Sequence, residues 1–307
     1  MPDSPAPAAR TISTMSRGLL LLVMPLALGS CLRAAQVQRS AAPPRWTVHL
    51  DRVDYGAVVR LNGEPVFIAR AGNEVSGSIT PIAGNNELTI EFEVAFSSDR
   101  GSYGYRVEVD GHVLLQGQCS LGCLAAPVYL LGQPTPYGTA QKNRPLHKAT
   151  LHFVSYQVSG ALPLAGLSQS ATPWANAAAV LLSWQEGRVV SGAAAAIRAG
   201  PRFAALLKSR SPLDNSAIEP FARGLKFAQL PSAQASLQET LSSRGPIWAH
   251  AAGTVLFAIA GDGTPAKTYA SLIDLTSGVQ KSELLADFQR RNGSGLLFVS
   301  GSRPARK

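Results

Sequence analysis

The period of the hydrophobic residues changes once along this chain, and that change limits the fold more than any other feature. From Trp46 onward the apolar residues come in short runs with polar residues between them. These are WTVHLDRV, AVVRLNG, EPVFIAR, ELTIEFEVAF, YGYRVEVDG, HVLLQGQ, APVYLLG and LHFVSYQV. Successive strand side chains point to opposite faces, so this alternation describes strands with one wet face. Asn62-Gly63 and Asp110-Gly111 fall between such runs, where these pairs predict two-residue hairpin turns; Gly84-Asn85-Asn86 marks a further turn. Seven or eight short strands over 45–160 predict a β-sandwich domain.

Leu162-Pro163-Leu164-Ala165-Gly166 ends that texture. Beyond it good helix formers predict helices over Ala175–Trp184, Ser191–Ala199, Phe203–Lys208, Ser216–Leu225 and Ala233–Ser243. After Gly245-Pro246 strands return as IWAHAAG, TVLFAIAG and TYASLID. A helix over Ser282–Arg291 and a strand over Leu296–Ser300 close the chain. Helices followed by an antiparallel sheet give an α+β order, so 161–307 reads as a second domain.

The N-terminus carries an address. Leu19 to Leu28 is apolar but far short of the roughly twenty residues a spanning helix needs. Arg17 precedes the run and Gly29-Ser30 follows it, the layout of a secretory signal over 1–31, with translation starting at Met1 or Met15. Leu28-Gly29-Ser30-Cys31 resembles the lipobox of bacterial lipoproteins. The resemblance implies that Cys31 is acylated and becomes the new N-terminus. A plain cleavable signal with an incidental Cys31 is the alternative. Leu rather than Asp at position 32 implies, by the same resemblance, the outer membrane facing the periplasm. Residues 32–44, rich in Ala, Gln, Ser and Pro, read as a tether.

The formal charge of +9 favours anionic surfaces. The charges are scattered and not interleaved with aromatics, which excludes a nucleic-acid platform. An exported chain lives where disulfides persist, so Cys119 and Cys123 are expected to pair. A metal site would need more ligands than cluster there, and a redox pair has two intervening residues rather than three. No HExxH motif is present, and no cofactor or metal is expected. Gly261-Asp262-Gly263-Thr264-Pro265 reads as a turn, since a phosphate loop would need a following helix and Lys.

From about Leu164 to Phe288 the chain resembles bacterial papain-like cysteine proteases of the AvrRpt type. In that family a Gln and a Cys-Trp open a long helix ending in Trp, matched here by Gln169, Trp174 and Trp184. Gly-Pro-Leu-Trp, a His-bearing strand, Gly-Asp-Gly-Thr-Pro and a strand ending in Asp follow in the family. Gly245-Pro246-Ile247-Trp248, a strand, the block at 261–265 and Leu272-Ile273-Asp274 match them. The resemblance implies a nucleophile before Trp174, a base near Ala252 or Gly253, and an orienting acid at Asp274.

The chemistry does not follow the outline. Such an enzyme needs a thiolate at the helix start and a His to take its proton. Pro173 stands in the thiol position and Ala252 in that of the His; His250 is two residues off, a slip of about 7 Å along a strand. Gln169 lies four residues before Pro173, where the family's Gln lies six before its Cys. Gln169, Trp174 and His250 are therefore expected at most to line a residual cleft.

The expected function is binding without cutting: a lipoprotein holding a protein or peptide partner, one version being an immunity protein that neutralises a periplasmic toxin. An active hydrolase would need an unconventional nucleophile among Ser168, Ser170 and Thr172. A third class gives the function to the sandwich as a cell-wall glycan-binding module, and a fourth is a purely structural envelope component.

Overall fold

Strands form where the alternation runs, and among the described residues they collect into two large antiparallel sheets and a separate two-stranded one. The computed structural model describes residues 40–51, 53, 56–70, 72, 74–93, 103–119, 128–129, 145–168, 172–230 and 234–301. The smaller sheet has the order β5 (Val75–Ile79), β2 (Trp46–Asp51), β7 (Tyr103–Val109), β8 (His112–Cys119). The larger one runs from β4 (Glu64–Arg70) through β3 (Gly56–Leu61), β6 (Gly84–Glu93) and β10 (Pro145–Gln157) to β14 (Thr254–Gly261). Buried residues of both sheets, among them Trp46, Val48 and Val107 from one and Val59, Ile90 and Leu151 from the other, form a single cluster. Trp46 and Phe153 meet across it with ring centroids 4.3 Å apart.

The two-residue turns follow from their residues. Asn62 and Gly63 have φ of 53° and 86°, and Asp110 and Gly111 have 50° and 82°. Positive φ at both central positions matches the twist of a hairpin. Gly84-Asn85-Asn86, expected as a turn, instead opens β6. The turn lies just before it, pinned by the buried Asn86 amide, which accepts from Ile82 N at 3.0 Å and donates to Ile82 O at 2.9 Å. Strand β5 has no counterpart in the sequence reading, because its VSGSI run carries too few apolar residues to alternate visibly. It pairs with β2 because Gly77 leaves room for the Phe67 ring; a Cβ there would lie 2.6 Å from that ring.

The helical part surrounds α1 (Pro173–Glu186), whose residues from Trp174 to Trp184 are all buried. A helix apolar all round belongs inside. Around it lie α2 (Gly192–Ala199), α3 (Pro201–Lys208), α4 (Asn215–Gly224) and α5 (Gln234–Ser243). The C-terminal helix α6 (Leu285–Asn292) begins three residues later than expected. Ser282–Leu284 belong instead to β16 (Gln280–Leu284), which pairs with β15 (Thr268–Asp274) from Ile273↔Gln280 to Tyr269↔Leu284. Cross-strand pairing overrides the helix propensity of Glu283 and Leu284.

The large sheet branches at β14. One edge pairs with β13 (Ile247–Ala249) through Thr254–Leu256 and with β10 through Ala258–Gly261; the other edge pairs with β15. Beyond β13 the sheet continues through β17 (Leu297–Val299) to β12 (Ala228–Leu230). The sheet therefore runs on across the boundary expected at 160, while the buried residues divide into two clusters on either side of it. The described residues form one compact unit of sheet-rich α+β architecture, and none of their sheets closes on itself.

Contacts at two places tie the later segment to the earlier one. At the β14–β15 turn, Asp262 Oδ1 accepts from Thr264 N at 2.9 Å and Oγ1 at 2.6 Å, a side-chain-capped turn. Just past it Lys267 Nζ donates to Leu114 O at 2.7 Å, and Tyr269 stacks on His112 at 4.1 Å. At the other end, β1 (Ser40–Ala41) pairs with β11 (Leu162–Pro163), and Ala42 exchanges two hydrogen bonds with the Gln280 amide at 3.0 and 2.9 Å. The expected tether of 32–44 is thus corrected at its end: Ser40–Ala42 is docked, because its backbone groups find strand and amide partners.

Candidate functional site

The start of α1 is where the sequence points, and its geometry is local. Thr172 is extended (ψ 149°) and its carbonyl accepts from Ala175 N and Asn176 N at 3.0 and 3.1 Å. Pro173 occupies the first helical turn, where no partner is needed for an N–H and the fixed φ suits the helix. Trp174, expected as a cleft residue, is 3% exposed. Its indole N–H donates to Ser211 O at 3.1 Å and its ring meets Phe221 edge-on at 4.9 Å, so it anchors the core.

Asn176 is the clamp of this region and was missed by the sequence reading. Its Nδ2 donates to Leu275 O at 2.8 Å and to Ser168 O at 3.0 Å, and its Oδ1 accepts from Ser168 N at 3.1 Å. Leu275 N donates to Gly253 O at 3.1 Å. The helix start, the turn before β14 and the end of β15 therefore meet at Leu275. This brings the segments of Pro173, Ala252 and Asp274 together. An amide three residues into a helix gives no sequence signal of such bridging.

The segment where the resemblance implies a base is a turn. His250 and Ala252 both lie in the 250–253 turn between β13 and β14, not on a strand, so the expected slip along a strand does not apply. His250 N donates to Leu296 O at 3.1 Å, and its half-buried ring meets Trp248 at 5.7 Å; burial pulls its pKa below the usual imidazole value. The residue paired with Asp274 across the strands is Thr254. The Thr254 and Thr172 hydroxyls are both buried without a hydrogen-bond partner.

Asp274 is engaged in its own turn. Its Oδ1 accepts from Ser277 N at 2.8 Å, Thr276 N at 3.0 Å and Ser277 Oγ at 3.0 Å. These bonds, the Ser277 N–H foremost, hold its pKa below the ordinary carboxylate value. The site thus holds an acid committed to a turn, a threonine facing it, and a proline at the helix start. Cys31, Cys123, Gln169 and Ser170 lie outside the described residues, and Cys119 is described only as the last backbone position of β8.

A second constellation stands on the outer face of the small sheet. His49 Nδ1 is 2.8 Å from Ser76 Oγ, and its Nε2 is 3.3 Å from Glu108 Oε2; Arg106 Nε holds the other carboxylate oxygen at 2.7 Å. Hydroxyl, imidazole and acid at these distances have the order of a hydrolytic triad. Acyl transfer also needs N–H donors for the developing oxyanion. Strand β2 is paired on both edges, with β5 and β7, so its backbone N–H groups are spent in the ladder. His49↔Ser76 and His49↔Arg106 are direct cross-strand pairs, and such ladders stabilise sheets. Recognising β5 in the sequence would have revealed this ladder.

Among the described residues no group of three or more His, Cys, Asp or Glu could hold a metal ion, and no helix is long and apolar enough to cross a membrane. Comparison with family models, curated proteins and solved structures gives no match for this chain.

Proposed function

We propose that this chain is a lipoprotein of the bacterial envelope, acylated at Cys31. In this reading it carries a β-sandwich and a papain-like domain that has lost its nucleophile, and it acts by binding a protein or peptide partner without cleaving it. The observation that carries the non-catalytic part is Pro173 in the first turn of a buried helix, with Asp274 bound in its own turn and paired across the strands with Thr254. Proline supplies neither a nucleophile nor a proton, and Asp274 has no base to orient. The meeting of the Pro173, Ala252 and Asp274 segments at Leu275 supports descent from a protease outline. The docked Ser40–Ala42 is compatible with a short connection to an anchor at Cys31.

A peptide array probed with the full chain, with mass spectrometry of the captured peptides, tests the reading. Binding of a subset of peptides, all recovered intact, is expected. Cleaved peptides would make the chain an enzyme, and an absence of capture would remove the binding role. Labelled fatty acid incorporated into the wild type and lost in Cys31→Ser checks the anchor separately.

A further inference from the structure

We infer that the α2–α4 layer is a docking surface for anionic phospholipid. Between Glu186 and Lys226 the chain carries seven Lys or Arg against three acids, and all seven cations are exposed. This one segment supplies almost half of the +9 formal charge of the chain. Packing gathers the cations. A Cβ on Gly224 would meet the backbone of Ala199 at 2.7 Å, so the C-terminal ends of α2 and α4 abut. Arg198 and Arg223 flank that contact, and Lys226 follows it on the reversed backbone (φ 60°). Arg202, in the first turn of α3, attracts the Asp214 carboxylate.

Helix ends account for part of the charge. Arg198, Lys208 and Arg223 sit in the last turns of their helices, where cations balance the carbonyl dipoles. That does not explain Arg188, Arg202, Arg210 and Lys226, none of which lies in the last turn of a helix. Glu186 is shared by Arg188 and Arg198, so it cancels only one of the two. Amid these cations Ile197 is 68% exposed, the most exposed large apolar side chain among the described residues, and Val189 is 40% exposed. Basic residues around exposed aliphatic ones match the interface of an anionic bilayer, where cations meet phosphates and aliphatics enter the acyl boundary. A soluble acidic protein would satisfy the cations but not Ile197. A lipid anchor and a basic patch together are the two signals that stable attachment takes. The inference strengthens the proposed anchoring but does not depend on acylation of Cys31.

The test uses the full chain with Cys31→Ser, so that no acyl chain contributes, sedimented with neutral phosphatidylcholine vesicles and with vesicles containing phosphatidylglycerol. Preferential binding to the anionic vesicles, weakened by salt, is expected. Reversing Arg198, Arg202 and Arg223 to Glu should lower that binding about tenfold or more, and Ile197→Asp should lower it further. If the reversal disturbs folding by circular dichroism, Gln at the same three positions replaces it. Equal partition onto both vesicle types, or unchanged binding by a folded charge variant, would overturn the inference. Fatty-acid labelling of the wild type reads the anchor independently, so either claim can fail without the other.

Discussion

Two places in this molecule divide the requirements of an active site between them. The start of α1 has the setting: a helix N-terminus, a neighbouring strand and an aspartate, joined through Asn176 and Leu275. Proline stands at its first helical position, and the residue paired with its aspartate is Thr254 rather than a histidine. The outer face of the small sheet has the groups, Ser76, His49 and Glu108, within hydrogen-bonding distance. It has no helix terminus, and β2 is paired on both edges. Reactive residues in line are therefore not enough, and neither is a scaffold. Catalysis needs donors aimed where charge develops, together with a nucleophile and its base.

The largest effect that sharpens this contrast is expected at Asn176. Replacement by Ala would strip partners from Leu275 O and from both backbone groups of Ser168 and should cost about 2–4 kcal/mol by denaturant unfolding. A loss under about 1 kcal/mol would mean that the α1 site is not clamped as described.

Asp274→Ala should cost about 1 kcal/mol at neutral pH, since a partly exposed turn cap is worth less than a buried one. The folded pKa of Asp274 is depressed, so its contribution is present above the unfolded value of about 4 and lost as pH falls through the folded value. Wild type and variant should therefore converge in acid.

His250 is held neutral by burial, so its folded pKa lies below the unfolded value of about 6.5. The stability it contributes is complete above that value and declines as pH falls through the folded pKa. His250→Gln should flatten the melting temperature profile on the acid side; an unchanged profile would show that the ring is hydrated. The smallest effect belongs to Ser76→Ala, which should shift stability by no more than about 0.5 kcal/mol and leave ester hydrolysis at background. Loss of a measurable hydrolysis rate there would turn the ladder into a site.

Much of this architecture was legible because it rests on period and turn chemistry. β14 and β15 coincide with the apolar runs that foretold them, and Asn62-Gly63 and Asp110-Gly111 form turns of the expected kind. What escaped notice depends on partners distant in the chain. β5 is a strand because β2 lies beside it and Phe67 needs the space at Gly77. β16 is a strand because β15 pairs with it, despite residues that favour a helix. At the site, Pro173 was readable as a residue that suits a helix start and supplies no nucleophile. The occupation of Asp274 by its own turn was not, because Thr276 and Ser277 are unremarkable until the chain folds back upon them.

Peptide hydrolysis by the purified full chain, followed alongside its Ser170→Ala and His250→Ala variants, tests the central claim most directly. The account predicts no turnover above background in any of the three. Turnover by the wild type that disappears in either variant would contradict it.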